Sequence, residues 1–464
     1  MSTPAEAMAL VGLALRLHGN ESIGADLADL RLIGSTVDKE HWTTKVATSS
    51  RATSTTAQSA ARQPPPRRSL VRKDSAPCGD HAERQPAAMT TDSAHRLSWK
   101  QALAWRRERH HLVRRAAPRD LIDVVGQICG LHAQLTSSAE LSLWARIDGL
   151  ERDAVHDALW EQRTLVKLWA TRGTLHLLPT AELGVWLAAL EIHTNRGMTG
   201  HPDIDVLTDA VGRALEDRVL TREELALEVE RITGSQSLGE YVRFSWGSYL
   251  KPASFRGRLC FAASDDSRVR LTSPATWVPG RFEKPDPTHA LREVTRRFLA
   301  AYAPATAEDL ALWWGVGPAG GRRMLAALGD EAVEVDVEDH RAWLLARDVP
   351  TMARARARDI ARLLPAFDPW VVGASRSAAA LLDPRHKSRV FRPQGWISPV
   401  VLVNGRMVGV WRHARKSRRL QVEIEPFGRL PAWARRQLEA EAERLAEFLD
   451  GELELRWASP SRQR

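Results

Sequence analysis

The sequence predicts an α+β fold: three tandem units of helices closed by a two-stranded hairpin, then a strand-rich C-terminal domain. Three observations carry that expectation. Helical periodicity gives way to a pair of short strand-like runs three times, at a spacing of roughly 90 residues. From about residue 360 the pattern turns to alternating strands with one late helix. Residues 1–88 follow neither pattern.

That first segment holds a weak apolar stretch, Ala7–Leu17, and then a long run of Ser, Thr, Ala, Gln, Pro and Arg. It has almost no aromatic or branched side chains to bury and cannot offset the entropy of ordering. It is expected to be a disordered tail or an upstream extension. Arg16 inside the apolar stretch, with no basic residue before it, argues against a secretory signal. Met89, just ahead of the first periodic helix, is the expected start of the functional chain.

The first unit spans 97–180. Ser98 is placed to cap a helix through WKQALAWRRERHHLVRR, and Pro118 sits early in a second helix. Ser137 and Glu140 have capping-box spacing ahead of LSLWARI. A further helix, RDAVHDALWEQ, leads to the strands LVKLWA and TLHLLP, with Thr171-Arg172-Gly173 as the turn. The second unit, 181–280, has expected helices at 206–216, 221–232 and 238–250 and a hairpin around Asp265-Asp266. The third, 281–350, has a helix at 287–302, a polar start at Thr306, two more helices and strands around Glu338-Asp339-His340. Helices followed by such a hairpin describe a winged helix, so the body reads as tandem winged helices. In 360–457 the strands RLLPAFDPWVVG, SRVFRP, PVVLVNGRMVGVWRHA and RRLQVEIEPF precede a helix at 431–448 and a last strand, ELELRW. Asn404-Gly405 is a strong hairpin turn. A small β-barrel or curled sheet backed by one helix is expected.

Composition narrows the function. Of 464 residues, 44% are hydrophobic and 27% charged, a soluble globular balance. No run approaches the ~20 apolar residues of a membrane span. Cys78, Cys129 and Cys260 stand far apart with no Cys/His spacing, which argues against disulfides and zinc and for a reducing cytoplasm. The formal charge of +9, carried mostly by arginine, suits a phosphate-rich partner, although a G/C-rich coding sequence also favours arginine. Tryptophan is abundant, 17 residues against 9 Phe and 3 Tyr, and Trp169, Trp313 and Trp314 lie at packing positions. There is no phosphate-binding loop or dinucleotide fingerprint, and GPAGG at 317–321 reads as the break before a helix. His110 and His111 lack an i, i+4 partner. Neither metal nor cofactor is expected.

Five stretches, in order, are GLHAQLTSSAELSLWARI, LWATRGTLHLLP, YLKPASFRGRLCF, LLPAFDPWVVG and VNGRMVGVWR. Through them residues 97–457 resemble the bacterial winged-helix DNA glycosylases of the AlkZ/YcaQ type, which join tandem winged helices to a C-terminal β-barrel. The resemblance implies a DNA repair enzyme that excises alkylated purines, bulky or crosslinked adducts among them, from double-stranded DNA. Catalysis in that family centres on a Gln-apolar-Gln or Gln-apolar-Asp motif, and His132-Ala133-Gln134 stands at the matching place. His at the first position is a departure similar to a subgroup of the family.

The residues themselves support such chemistry. In an extended segment, positions i and i+2 project to one face, so His132 and Gln134 can converge. Cleaving an N-glycosidic bond develops positive charge on the sugar, while an alkylated purine already leaves well. The Gln134 carbonyl can accept from a water and face that charge, and His132, titrating near pH ~6.5 if unperturbed, can orient the water or take its proton. No lysine lies between Lys100 and Lys167, so a local Schiff-base step is not expected and the product is an abasic site. Asp368, in AFDPW, reads as a structural turn.

DNA binding is expected at Arg172 on the first hairpin tip, at Arg243, Lys251, Arg256 and Arg258 around the third helix of unit two, and at Arg322 and Arg323. The alternative is a non-catalytic winged-helix DNA-binding protein or transcriptional regulator. Such regulators usually dimerise, and there are no coiled-coil heptads here. Three different units in one chain suit a monomer on one lesion, in the cytoplasm and associated with the nucleoid.

Overall fold

A computed structural model describes residues 95–194, 202–244, 247–265, 268–278, 280, 282–338 and 340–459. The expected N-terminal tail over 1–88 lies outside the described residues, as do Asp266 and Asp339 of the two expected turns.

Ser98 begins the first helix as its side chain accepts from the Gln101 N–H while the Gln101 side chain accepts from the Ser98 N–H. After a short strand β1 (His95–Leu97), helix α1 runs over Trp99–Arg109. It stops short of the expected HHLVRR end because His111 turns to a positive φ of 53°. A turn at Pro118 leads into α2 (Leu121–Gln127), β2 (Leu131–His132) and α3 (Thr136–Trp144). The expected Ser137 capping box does not form. α3 starts two residues earlier than that box requires, and Leu135 at its N-cap makes no side-chain capping bond.

The helix expected at RDAVHDALWEQ is a turn at Ala154–His156 that widens to a π-helix over Asp157–Glu161. β3 (Leu165–Trp169) and β4 (Leu175–Pro179) form the first hairpin, and β2 adds to it in the order β2-β4-β3. The second group comprises α4 (Leu183–Thr194), α5 (Ile204–Ala214), β5 (Leu220–Thr221), α6 (Arg222–Thr233), α7 (Gln236–Phe244), α8 (Lys251–Phe255), β6 (Cys260–Asp265) and β7 (Arg268–Thr272). Of the helix expected at 238–250, α7 accounts for the part up to Phe244, and α8 begins only at Lys251. Its sheet has the order β5-β7-β6. The third group comprises α9 (Pro287–Tyr302), α10 (Ala307–Trp314), α11 (Pro318–Ala326), β8 (Ala332–Val337) and β9 (His340–Leu345). Thr306 and Asp309 form the capping box that starts α10. Here the added strand is β1, which pairs parallel to β8, His95 opposite Val335.

Helix α11 crosses α10 at close range. A Cβ on Gly321 would stand 2.1 Å from the Ala307 carbonyl oxygen. Gly321→Val is expected to cost about 1–3 kcal/mol through forced backbone separation, read as a lower denaturation midpoint. An unchanged midpoint would show that the two helices part freely.

The C-terminal part holds β10 (Ala361–Leu364), α12 (Pro369–Val372), β11 (Val400–Val403), β12 (Arg406–Lys416), β13 (Arg419–Pro426), α13 (Ala432–Phe448) and β14 (Glu452–Trp457). It is not a closed barrel. The five strands form an open sheet in the order β10-β11-β12-β13-β14, and α13 carries the chain back so that β14 runs parallel to β13. β10 and β14 thus remain the two edges, with α13 packed against both. The expected strand SRVFRP is instead a helical turn at Lys387–Val390, followed by a lone bridge between Phe391 and Ile397.

Two apolar clusters fill this mixed α+β fold. One joins β3, β4 and α4 to the second and third groups. The other joins α2, β2 and α3 to the five-stranded sheet and α13, so the chain around the motif is buried against the C-terminal part. Trp144, Trp169, Trp186, Trp314 and Trp370 are fully buried, and tryptophan serves mainly as packing. Cys129 and Cys260 are buried free thiols. Among the described residues no helix is long and apolar enough to cross a membrane.

Candidate active site

The motif is an added strand on the first hairpin. His132 stands opposite His176 of β4, and the pairing continues past the end of β2, where the Ala133 N–H donates to the Leu175 carbonyl at 2.8 Å. The next donor of β4, the Leu175 N–H, is taken by the Gln134 side-chain oxygen at 2.8 Å. His132 and Gln134 are thus both set along one edge of β4, and both are buried.

The His132 ring is held by other rings. Phe367 stacks on it with centroids 4.5 Å apart and planes 9° from parallel. His176 meets it edge-on at 5.5 Å. His176 is itself fixed at both nitrogens: Nδ1 lies 2.9 Å from the Thr174 carbonyl and must carry the proton, so Nε2 accepts from the Thr171 hydroxyl at 2.8 Å. Burial, with the nearby His176 and Arg172, holds the His132 imidazole well below its usual range. His176 is pushed down to about 3 by burial and by Arg172. The expected titration of His132 near neutral pH is therefore corrected. The ring is neutral and a weak base, suited to orienting a water rather than to taking its proton. Nδ1 is sealed without a partner among the described residues, which leaves Nε2 as the nitrogen that can meet a water. The Gln134 oxygen keeps one lone pair after serving Leu175.

Arg172 does not sit on a projecting tip. It takes a positive φ of 59° in the turn between β3 and β4, is half-buried, and rests its Cα against Gly315 at the end of α10. Burial and the charge of Arg376 lower its guanidinium to about 10, and it makes no ion pair among the described residues. Arg376, exposed and lying over the Phe391 ring at 4.6 Å, is a cation of this region that the motif search did not single out. A cleft of about 400 Å³ opens between α3 and the C-terminal sheet, lined by Leu135, Ser138, Ala366, Trp396 and His413 but by neither His132 nor Gln134.

Most of the other expected DNA-binding cations are occupied. Arg243 pairs with Glu223 at 2.9 Å and Glu230 at 3.2 Å. Arg256 is bonded to Asp205, and Arg258 lies 3.9 Å from Asp209. Arg322 faces Glu308 at 3.4 Å with both side chains largely exposed, while Lys251 is buried at the start of α8. Arg323 alone of the set expected in units two and three is exposed without an ion pair among the described residues. Lys167 comes closer to the motif than its place in the sequence suggests: its Nζ donates to the Thr136 hydroxyl at 3.0 Å. It pairs with Leu177, whereas His176 pairs with Leu168, so Lys167 projects from the opposite face of the sheet to His132.

A family model described as DNA glycosylase AlkZ-like matches residues 125–448. A curated relative, the interstrand DNA cross-link repair glycosylase of Streptomyces sahachiroi, is 36% identical over 331 residues, 68% of this chain and 88% of the relative. The chain belongs to the AlkZ-like DNA glycosylase family. The solved structure of the Streptomyces sahachiroi DNA glycosylase AlkZ is similar in fold, with a TM-score of 0.70 at 35% identity, covering 78% of this chain and all (100%) of that one. An AlkZ-like glycosylase is a DNA repair hydrolase of N-glycosyl bonds, which sets the chain apart from the non-catalytic regulators weighed above.

Within this AlkZ-like chain, sequence reasoning missed Phe367, His176 and Arg146. AFDPW did signal a fixed turn: Asp368 caps α12 by accepting from the Trp370 N–H at 2.8 Å. It also accepts both terminal nitrogens of Arg146 at 2.7 Å, a fully buried ion pair that no local pattern announces. Among the described residues there is no group of three His, Cys, Asp or Glu placed to hold a metal.

Proposed function

We propose that this AlkZ-like glycosylase releases alkylated purines from duplex DNA by water attack at the sugar, with His132 and Gln134 as its catalytic pair and an abasic site as product. The observation that carries this is the neutral, buried imidazole set beside a carboxamide on one β edge. Such a pair cannot drive strong acid onto a leaving base. It suits a base that leaves without that help, as a purine made cationic by alkylation does. The Gln134 oxygen then faces the charge growing on the sugar, and His132 Nε2 holds the water. Lys167 on the far face of the sheet supports a hydrolytic outcome without a Schiff base. The cleft of about 400 Å³ has room for a substituent larger than methyl, in keeping with the relative named for interstrand cross-link repair.

The three helix-and-hairpin groups, taken as winged helices over 97–180, 181–280 and 281–350, and the part over 360–457 form the DNA-binding body of a monomer in this reading. Arg172, Arg376 and Arg323 are its phosphate contacts. Arg172→Ala and Arg323→Ala are each expected to reduce the slope of log K against log salt by about 0.9. Arg243→Ala should leave the slope alone, since its charge is already matched by Glu223 and Glu230. An unchanged slope in Arg172→Ala would remove that residue from the interface.

The direct test is 7-methylguanine release from a duplex. Free base with an intact, alkali-sensitive strand is expected, and borohydride should trap no covalent adduct. Failure to release any alkylpurine, or a borohydride-trapped species, would overturn the proposal.

A further inference from the structure

We propose that Phe367 is a positioning residue for His132, presented to the imidazole by the buried Arg146–Asp368 ion pair. The inference rests on His132 being part of the active site, as proposed above.

A working histidine usually has its ring plane fixed by a hydrogen bond at the nitrogen turned away from the reaction. His132 lacks that anchor: Nδ1 is sealed and unpartnered among the described residues. Ring contacts take its place. Phe367 lies almost flat on the imidazole, 9° from parallel at 4.5 Å, and His176 closes a second side edge-on, 72° from coplanar. Trp396 backs Phe367 edge-on at 5.1 Å. Rotation of His132 would have to break this stack, so the direction of Nε2 follows from the placement of Phe367.

That placement is imposed. Phe367 adopts a φ of +56°, unusual for a bulky side chain and sustained only where its surroundings over-determine it. The next residue supplies the constraint. The two Asp368 oxygens each accept from one terminal nitrogen of Arg146 at 2.7 Å, with both side chains wholly buried. Arg146 stands two residues past the end of α3 and also donates to the Ser142 carbonyl at 2.8 Å. α3 itself starts two residues after Gln134. One ion pair therefore ties the helix that leaves the motif to the turn that carries the stacked ring, and relates His132 to Phe367 across the fold.

The test uses the full chain and steady-state release of 7-methylguanine, read as kcat and KM. Phe367→Leu keeps an apolar side chain but removes the ring. The expected result is a fall in kcat of about 10- to 100-fold with KM for the duplex unchanged. The His132 ring protons should move downfield in NMR as the ring current of Phe367 is lost. Phe367→Tyr keeps the ring and is expected to retain both kcat and the His132 shifts. Wild-type kcat in Phe367→Leu, or an equal loss in Phe367→Tyr, would overturn the positioning role. If His132→Ala also released base at the wild-type rate, the site assignment itself would fall, and the two failures are thereby told apart.

Discussion

Gln134→Ala is expected to slow base release by about 10²- to 10³-fold, the usual loss when a group aimed at developing charge is removed. The substitution deletes the carbonyl proposed to face the sugar, and it also strips the Leu175 N–H of its acceptor. The second effect costs about 1–3 kcal/mol of stability, so denaturation must be measured alongside the rate. His132 should behave differently. If its ring serves as a hydrogen-bonding shape held by Phe367, His132→Gln, which keeps hydrogen-bonding groups but loses that stack, is expected to lose about tenfold, while His132→Ala loses about 10²-fold or more. Equal losses in the two His132 variants would mean that the imidazole does something a neutral amide cannot, and the orienting role would be wrong.

Stability should fall steeply as the pH drops from 7.5 to 5.5. His110, His132 and His176 are buried, and burial is the main reason each lies below the ordinary histidine value. A folded value below the unfolded one of about 6.5 means that the unfolded chain takes up protons first as the pH falls. The stabilisation is fully present above that value and is lost as the pH descends toward the folded values. Down to pH 5.5 the loss is on the order of 1 kcal/mol per histidine, a few kcal/mol for the three together. That is a large share of the 5–15 kcal/mol, roughly, that holds a domain together. Urea midpoints at the two pH values measure it, and His110→Gln should recover part of the difference. Equal midpoints at both pH values would show that these rings take protons without unfolding.

What could be read in the sequence was what lies close along the chain. The alternation of helices with hairpins, the cap at Ser98 and the start at Thr306 all rest on neighbours within a few residues. The His132–Gln134 pairing depends only on the period of a strand. The features that escaped reading join distant segments. The sheet stays open because α13 returns β14 beside β13 and away from β10. Arg243 and Arg256 have the composition of a DNA-binding surface, yet they are neutralised by acids on other elements, Glu223, Glu230 and Asp205. Phe367 and His132 meet only once the C-terminal part has packed on the first hairpin.

The pairing of β1 with β8 has a consequence for synthesis. His95–Leu97 is the first described strand to leave the ribosome, yet its partner, Val335–Val337, emerges more than two hundred residues later. At translation rates of about 5–20 residues per second that delay is on the order of 10–50 s. Throughout it, the β1 edge has no mate. The third sheet is then closed by pairing an early segment with one made much later, where the Trp99 N–H also donates to Glu338 at 3.0 Å. A contact of such high order gives the nascent protein a long interval in which an unpaired edge must be kept from neighbouring chains.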